Sequence, residues 1–130
     1  MIVVGYTADK FGRAALEYGI AEAKLRQTHM VVINATKGES LADPRFATET
    51  EVDEMEEVLQ DCGVDFEIRQ PVGVDPVDEL LAAMRPDDAE LLVVGIRHRN
   101  PVGKLLLGSV SQKVLLECPK PVLGVKPSES

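Results

Sequence analysis

Residues Glu90 to Ser111 read ELLVVGIRHRNPVGKLLLGSVS, and this stretch decides the fold. The apolar run Leu91–Val94 predicts a buried strand, closed by Gly95. A basic, polar loop follows, carrying Arg97, His98, Arg99, Asn100 and Lys104. It ends at Gly108-Ser109, where a helix over Ser109–Glu117 is expected, with Val110, Val114 and Leu115 at helical spacing. Strand, glycine, basic loop and helix start together suit an anion. The first N–H groups of a helix have no intrahelical acceptor, and the helix dipole favours negative charge there.

The pattern repeats on either side. Met1–Val4 is a short apolar strand ended by Gly5, and Asp9 can cap the helix that follows. That helix is expected to turn Ala14, Ala15, Tyr18, Ala21, Ala23 and Leu25 to the interior. Met30–Ala35 is a second continuous apolar strand, and Lys37–Ala47 a polar loop. Thr48–Asp61 places Val52, Met55, Val58 and Leu59 at helical spacing, with Gly63 at its C-terminal stop. Val64–Arg69 alternates, as a strand toward a sheet edge does. Asp75-Pro76 is an N-cap followed by proline at the first helical position, ahead of Val77, Leu80, Leu81 and Met84 on one face. Val122–Lys126 is a last strand. Strands alternating with helices predict a mostly parallel, doubly wound sheet with helices on both faces. No change of composition marks a second domain, so residues 1–130 are expected to form a single α/β domain.

Composition narrows the function. Apolar residues make up 45% of the chain, enough for a packed interior, and aromatics only 4%, so Val, Leu, Ile and Ala must fill it. A formal net charge of -8 disfavours nucleic acid and anionic membrane surfaces as partners. No leader-like segment and no membrane-length apolar run is seen, and Cys62 and Cys118 fit neither a metal nor a disulfide pattern. Buried or half-buried free thiols and a reducing, cytoplasmic setting are expected.

Ligands of such sheets lie beyond the carboxyl ends of the strands, where the strand order reverses. That directs attention to Gly5-Tyr6-Thr7-Ala8, to Ala35-Thr36, and to Gly95–Ser111, where Gly95, Gly103 and Gly108 gather with two arginines, a lysine, Ser109 and Ser111. Each has a plainer reading. Gly95 can be a turn residue, Gly108-Ser109 an ordinary cap, the cations a solvated loop, and His98 and His29 structural. Asp43 and the acidic run Glu49–Glu57 are expected on a solvated helix face. No Walker-type loop, dinucleotide fingerprint, zinc motif or nucleophile elbow is present, and no catalytic base or nucleophile constellation is visible.

The spacing Gly95, position 98, Gly108, Ser109 resembles the G-2x-G-9x-G-[ST] signature of the universal stress protein family. The flanking text, LLVVGIR and GKLLLGSVSQKVLLECPKPVLGVK, and the start, VVGY with GRAALEYGIAEAK, extend the resemblance over nearly the whole chain. It implies five parallel strands in the order 3-2-1-4-5 and a homodimer through Val122–Val125. It also implies an adenine nucleotide, ATP or AMP, with Mg or Mn bridging the phosphates. The site it implies comprises Tyr6, Thr7 and Ala35 near the adenine, and Gly95, position 98 (His98), Gly108, Ser109 and Val110 near the phosphates and ribose; the residues themselves add Arg97 and Ser111 as candidates beside them. Two positions depart from the family pattern: His98 stands at the second signature glycine, and Thr7 where an acid often follows the first strand. A nucleotide-binding stress-response module is the leading expectation. A nucleotide-independent dimeric interaction protein and a weak ATPase stay open beside it.

Overall fold

The computed structural model describes residues 1–38, 43–96 and 107–127. Nine elements follow in order: β1 (Ile2–Gly5), α1 (Lys10–Arg26), β2 (Met30–Ile33), α2 (Glu49–Asp61), β3 (Phe66–Arg69), α3 (Pro76–Ala83), β4 (Leu91–Gly95), α4 (Ser109–Glu117) and β5 (Val122–Val125). The strands form one sheet in the order β3-β2-β1-β4-β5, every pair parallel. The expected order therefore holds, and β3 is an edge strand as its alternation suggested.

Side-chain alternation divides the interior in two. Ile2, Val4, Met30, Val32, Leu91 and Val93 face one side, packed with Ala15 and Ala23 of α1 and Met55 and Leu59 of α2. Val3, Val31, Ile33, Leu92 and Val94 face the other, packed with Val77 and Leu80 of α3 and Val114 of α4. The three central strands are buried on both faces. That is why they read as unbroken apolar runs rather than alternating ones.

Caps fix where the helices begin. Asp9 Oδ1 accepts from the Gly12 amide at 2.9 Å. Thr48 and Glu51 form a reciprocal capping box at the start of α2. Asp75 Oδ1 accepts from the Val77 amide at 2.8 Å, with Pro76 at the first position of α3. Gly63, just past α2, has φ of 79°, the left-handed conformation expected at a helix stop.

Four expectations are corrected. On α1, Ala14, Ala15 and Ala23 are buried, but Tyr18, Ala21 and Leu25 face solvent. The sheet side is instead completed by Gly12, Leu16 and Gly19. The glycines were invisible to a search for apolar side chains, yet they let the helix backbone lie close to the strands. Val58 of α2 and Leu115 of α4 are also exposed. Asp43 precedes α2 in a loop rather than lying on its face, while Asp53, Glu54 and Glu57 are exposed as expected. Cys62 and Cys118 are free and half-buried. Among the described residues, no helix is long and apolar enough to cross a membrane.

Candidate functional site

A cleft of about 740 Å³ opens beyond the carboxyl ends of β1, β2 and β4. It lies where the order reverses, with β2 on one side of β1 and β4 on the other. Its size suits a small organic ligand, for which roughly 300–1,000 Å³ is usual. The walls come from the turns after β1 and β2, the loop before α2, the start of α3 and the start of α4.

The α4 wall is built by backbone. Gly108 caps the helix with φ 82° and ψ 152°, a region open essentially to glycine alone, and no side chain among the described residues caps the helix. The Gln112 amide bonds to the Gly108 carbonyl at 3.0 Å, which closes the first turn. The amides of Ser109, Val110 and Ser111 have no acceptor among the described residues. The Ser111 hydroxyl is committed elsewhere. It donates to the Gly95 carbonyl at 2.8 Å and ties α4 to the end of β4. Ser109 is exposed, and Val110 is half-buried against the α3/α4 side of the core.

Gly95 has a packing reason to be glycine. A Cβ there would collide with the Phe11 backbone carbonyl in the first turn of α1. Gly12, facing the Thr7 backbone, is held just as tightly. These two contacts wedge the start of α1 between the ends of β1 and β4 and so shape the cleft floor. Sequence reasoning missed Gly12.

The β1 wall is also constrained. The Thr7 hydroxyl donates to Asp9 Oδ1 at 2.7 Å, the same oxygen that caps α1. Tyr6 borders the cleft, but the residue is only 7% exposed and belongs to the core cluster on the α1/α2 side. Burial pushes its phenol above the ordinary 10.0; Glu51, Asp9 and Glu54 reinforce this, and Arg13 opposes it. Ala35, just past β2, is half-buried at the cleft, and its amide and carbonyl have no backbone partner among the described residues.

Charges that sequence reasoning did not place here complete the rim. Asp43 accepts the Thr36 hydroxyl on Oδ2 at 2.8 Å and the Arg45 amide on Oδ1 at 3.1 Å. Lys37 approaches Asp75 at 3.8 Å. Lys113, one turn into α4, adds a cation beside the open amides. The clue available in the sequence was only positional: Lys37 and Asp43 belong to the loop after a strand, where such sites are made. Of the expected site residues, the cleft brings together Tyr6, Thr7, Ala35, Gly95, Gly108, Ser109, Val110 and Ser111. Arg97 and His98 lie outside the described residues, as do Arg99, Gly103 and Lys104.

Residues 1–126 match the model of the universal stress protein family. The chain belongs to that family. It is 70% identical over 127 residues to a universal stress protein of Mycolicibacterium smegmatis, covering 98% of each chain. Solved structures agree. A universal stress protein from Archaeoglobus fulgidus superposes with a TM-score of 0.77 at 28% identity, covering 96% of this chain and 97% of that one. The Archaeoglobus fulgidus universal stress protein in complex with dAMP gives 0.65 at 26% identity and 96% coverage of both chains. A universal stress protein in complex with cAMP gives 0.70 at 27% identity, covering 98% of this chain and 96% of that one. Some structural neighbours in this family therefore bind adenine nucleotides.

Proposed function

We propose that this universal stress protein binds an adenine nucleotide, ATP or AMP, in the cleft and serves as a nucleotide-responsive module of the stress response in the cytoplasm. The observation that carries the reading is the start of α4, where three successive amides point from a glycine-capped helix without an acceptor among the described residues. Such a terminus offers phosphate both hydrogen bonds and a favourable dipole. The dAMP and cAMP complexes of similar proteins supply the ligand class.

The base belongs at the other end, between Thr7 and Ala35. The Ala35 amide and carbonyl, without a backbone partner among the described residues, match the acceptor N1 and the donor amino group of adenine. Guanine presents the opposite order on the same edge, so adenine is preferred. The neighbouring Ile33, Val77 and Leu80 give the base an apolar surface. Among the described residues no group of three or more His, Cys, Asp or Glu side chains forms a metal cage. A Mg or Mn ion would be held chiefly by the phosphate oxygens, where it would neutralise their charge. Arg97 and His98, which lie between β4 and α4 in the sequence and outside the described residues, are proposed as further contacts of the same phosphates.

The edge strand β5 carries a second part of the proposal. Val122 and Leu123 are half-buried on a strand whose outer edge has no partner among the described residues, and Leu116 of the adjoining α4 is 78% exposed. An open edge is a template for pairing, and a twofold copy closes it. The protein is therefore assigned as a homodimer through Val122–Val125.

Mass spectrometry of small molecules released from the purified protein, with thermal denaturation in added AMP and GMP, tests the nucleotide reading. Co-purifying adenine nucleotide, or a rise in melting temperature with AMP larger than with GMP, is expected. Protein free of nucleotide whose melting is indifferent to millimolar AMP and ATP would leave the interaction-protein reading in its place.

A further inference from the structure

Asn34 is 1% exposed, the most deeply buried polar residue described, yet it does not line the cleft. Its side chain uses its full hydrogen-bonding capacity. Nδ2 donates to the Tyr6 carbonyl at 2.9 Å and to the Arg45 carbonyl at 3.0 Å. Oδ1 accepts from the Ala47 amide at 2.7 Å and from Gln70 Nε2 at 3.1 Å. An amide with two donors and two acceptor sites has nothing left to offer.

These four partners belong to three different segments. Tyr6 follows β1 and Gln70 follows β3, both fixed by the sheet. Arg45 and Ala47 belong to the loop before α2, whose residues Asp43, Pro44 and Arg45 form one wall of the cleft. Asn34 gives the loop two bonds, to the Arg45 carbonyl and the Ala47 amide, and three other anchors join them among the described residues. Ala8 donates its amide to the Arg45 carbonyl at 2.9 Å, Thr36 bonds Asp43, and Gln70 Nε2 reaches the Ala47 carbonyl at 3.0 Å. Without Asn34 the Ala47 amide and the Tyr6 carbonyl would be left in a dry interior with no partner in place, and the loop would move to find water.

We propose that Asn34 is the positioning residue of the cleft: its buried carboxamide clamps residues 43–47 against the ends of β1 and β3, so that ligand affinity at the base end depends on a side chain the ligand never touches. The ligand half of this rests on the nucleotide reading above; the clamp itself does not. The start of α4 stands on Gly95 and Ser111 and is independent of the clamp. The two ends of the cleft should therefore separate on mutation.

The test compares the native chain with Asn34→Ala, and with the milder Gln70→Ala should Asn34→Ala not fold. Two quantities are read: amide hydrogen exchange at Ala8 and Ala47 against a β2 reference such as Val32, and titration with AMP and with inorganic tripolyphosphate. In the Asn34→Ala chain, exchange at Ala47 and Ala8 should accelerate while Val32 stays protected. AMP affinity should fall about tenfold, with tripolyphosphate binding unchanged. For Gln70→Ala the same pattern is expected at about threefold. Unchanged exchange at Ala47 overturns the clamp. Accelerated exchange with undiminished AMP affinity, or equal losses for AMP and tripolyphosphate, overturns the positioning role. A native chain that binds no AMP defeats the nucleotide reading instead, and the clamp is then judged by exchange at Ala47 alone.

Discussion

At the residue scale, single atoms decide what the cleft can be. A Cβ at Gly95 would meet the Phe11 carbonyl, which is backbone and cannot swing aside. The Gly95→Ala chain should lose about 1–3 kcal/mol of stability, measured as a lower urea midpoint, whether or not a nucleotide is present. Unaltered stability would mean that Gly95 serves a ligand rather than the junction of α1 and β4. Gly95 was legible in the sequence as the end of a strand, but its reason was not. That reason is a neighbour far away in the chain, which no local pattern records. Tyr6 shows the same limit: its place after β1 was readable, while the burial of its ring depends on how α1 and α2 pack over it. Its raised phenol gives a pH signature. A group whose pKa is higher folded than unfolded contributes stability fully below the unfolded value and loses it as pH rises through the folded one. With Tyr18→Phe leaving Tyr6 as the sole tyrosine, phenolate absorbance should titrate above 10.0 in the folded chain. A midpoint at or below that value would place the ring in water.

At the element scale, caps and termini were the most readable features because their chemistry is local. Asp9 and Asp75 were legible as caps and each accepts from the first turn of its helix, whereas Thr48, expected inside α2, instead caps it. The Thr48→Ala chain should lose about 1 kcal/mol, checked by chemical denaturation, since the capping box loses its hydroxyl acceptor. The Ser111→Ala chain should lose a similar amount, about 1 kcal/mol, by freeing the Gly95 carbonyl. A larger loss of nucleotide affinity than of stability in that chain would show that the bond also aims the α4 amides. The faces of the helices were less readable than their ends. Apolar character alone predicts Tyr18 and Leu25 on the inner face of α1, yet both are exposed. The helix instead turns its small residues to the sheet, since backbone-to-backbone proximity gains more contact than a large side chain held at a distance.

At the scale of the whole molecule, strand order and the place of the cleft follow from one topological fact. β1 and β4 lie side by side, and the crossover from β1 leads to β2 on one side while that from β4 leads to β5 on the other, so a crevice opens above their carboxyl ends. Alternating strands and helices implied the parallel sheet, and the signature resemblance supplied the strand order. The cleft's charged rim of Lys37, Asp43 and Asp75 was not foreseen, because ordinary loop composition conceals which loop side chains meet. Sedimentation equilibrium at micromolar concentration should find a dimer, with β5 covered by its symmetry mate. A strictly monomeric chain would mean that the β5 edge is left open or is covered by something else.

On the proposed function, the glycine-capped start of α4 receives the phosphates of an adenine nucleotide. Isothermal titration of the native chain with ATP and AMP, repeated on Gly108→Val, tests it most directly. A branched side chain cannot hold φ 82° with ψ 152°, so the substitution should rotate the amides of Ser109 and Val110 away from a common point. Saturable heat is predicted with the native chain and none with the variant, while the variant still unfolds cooperatively. Heat of equal size and affinity from both chains, or no heat from the native chain at millimolar nucleotide, would contradict the claim.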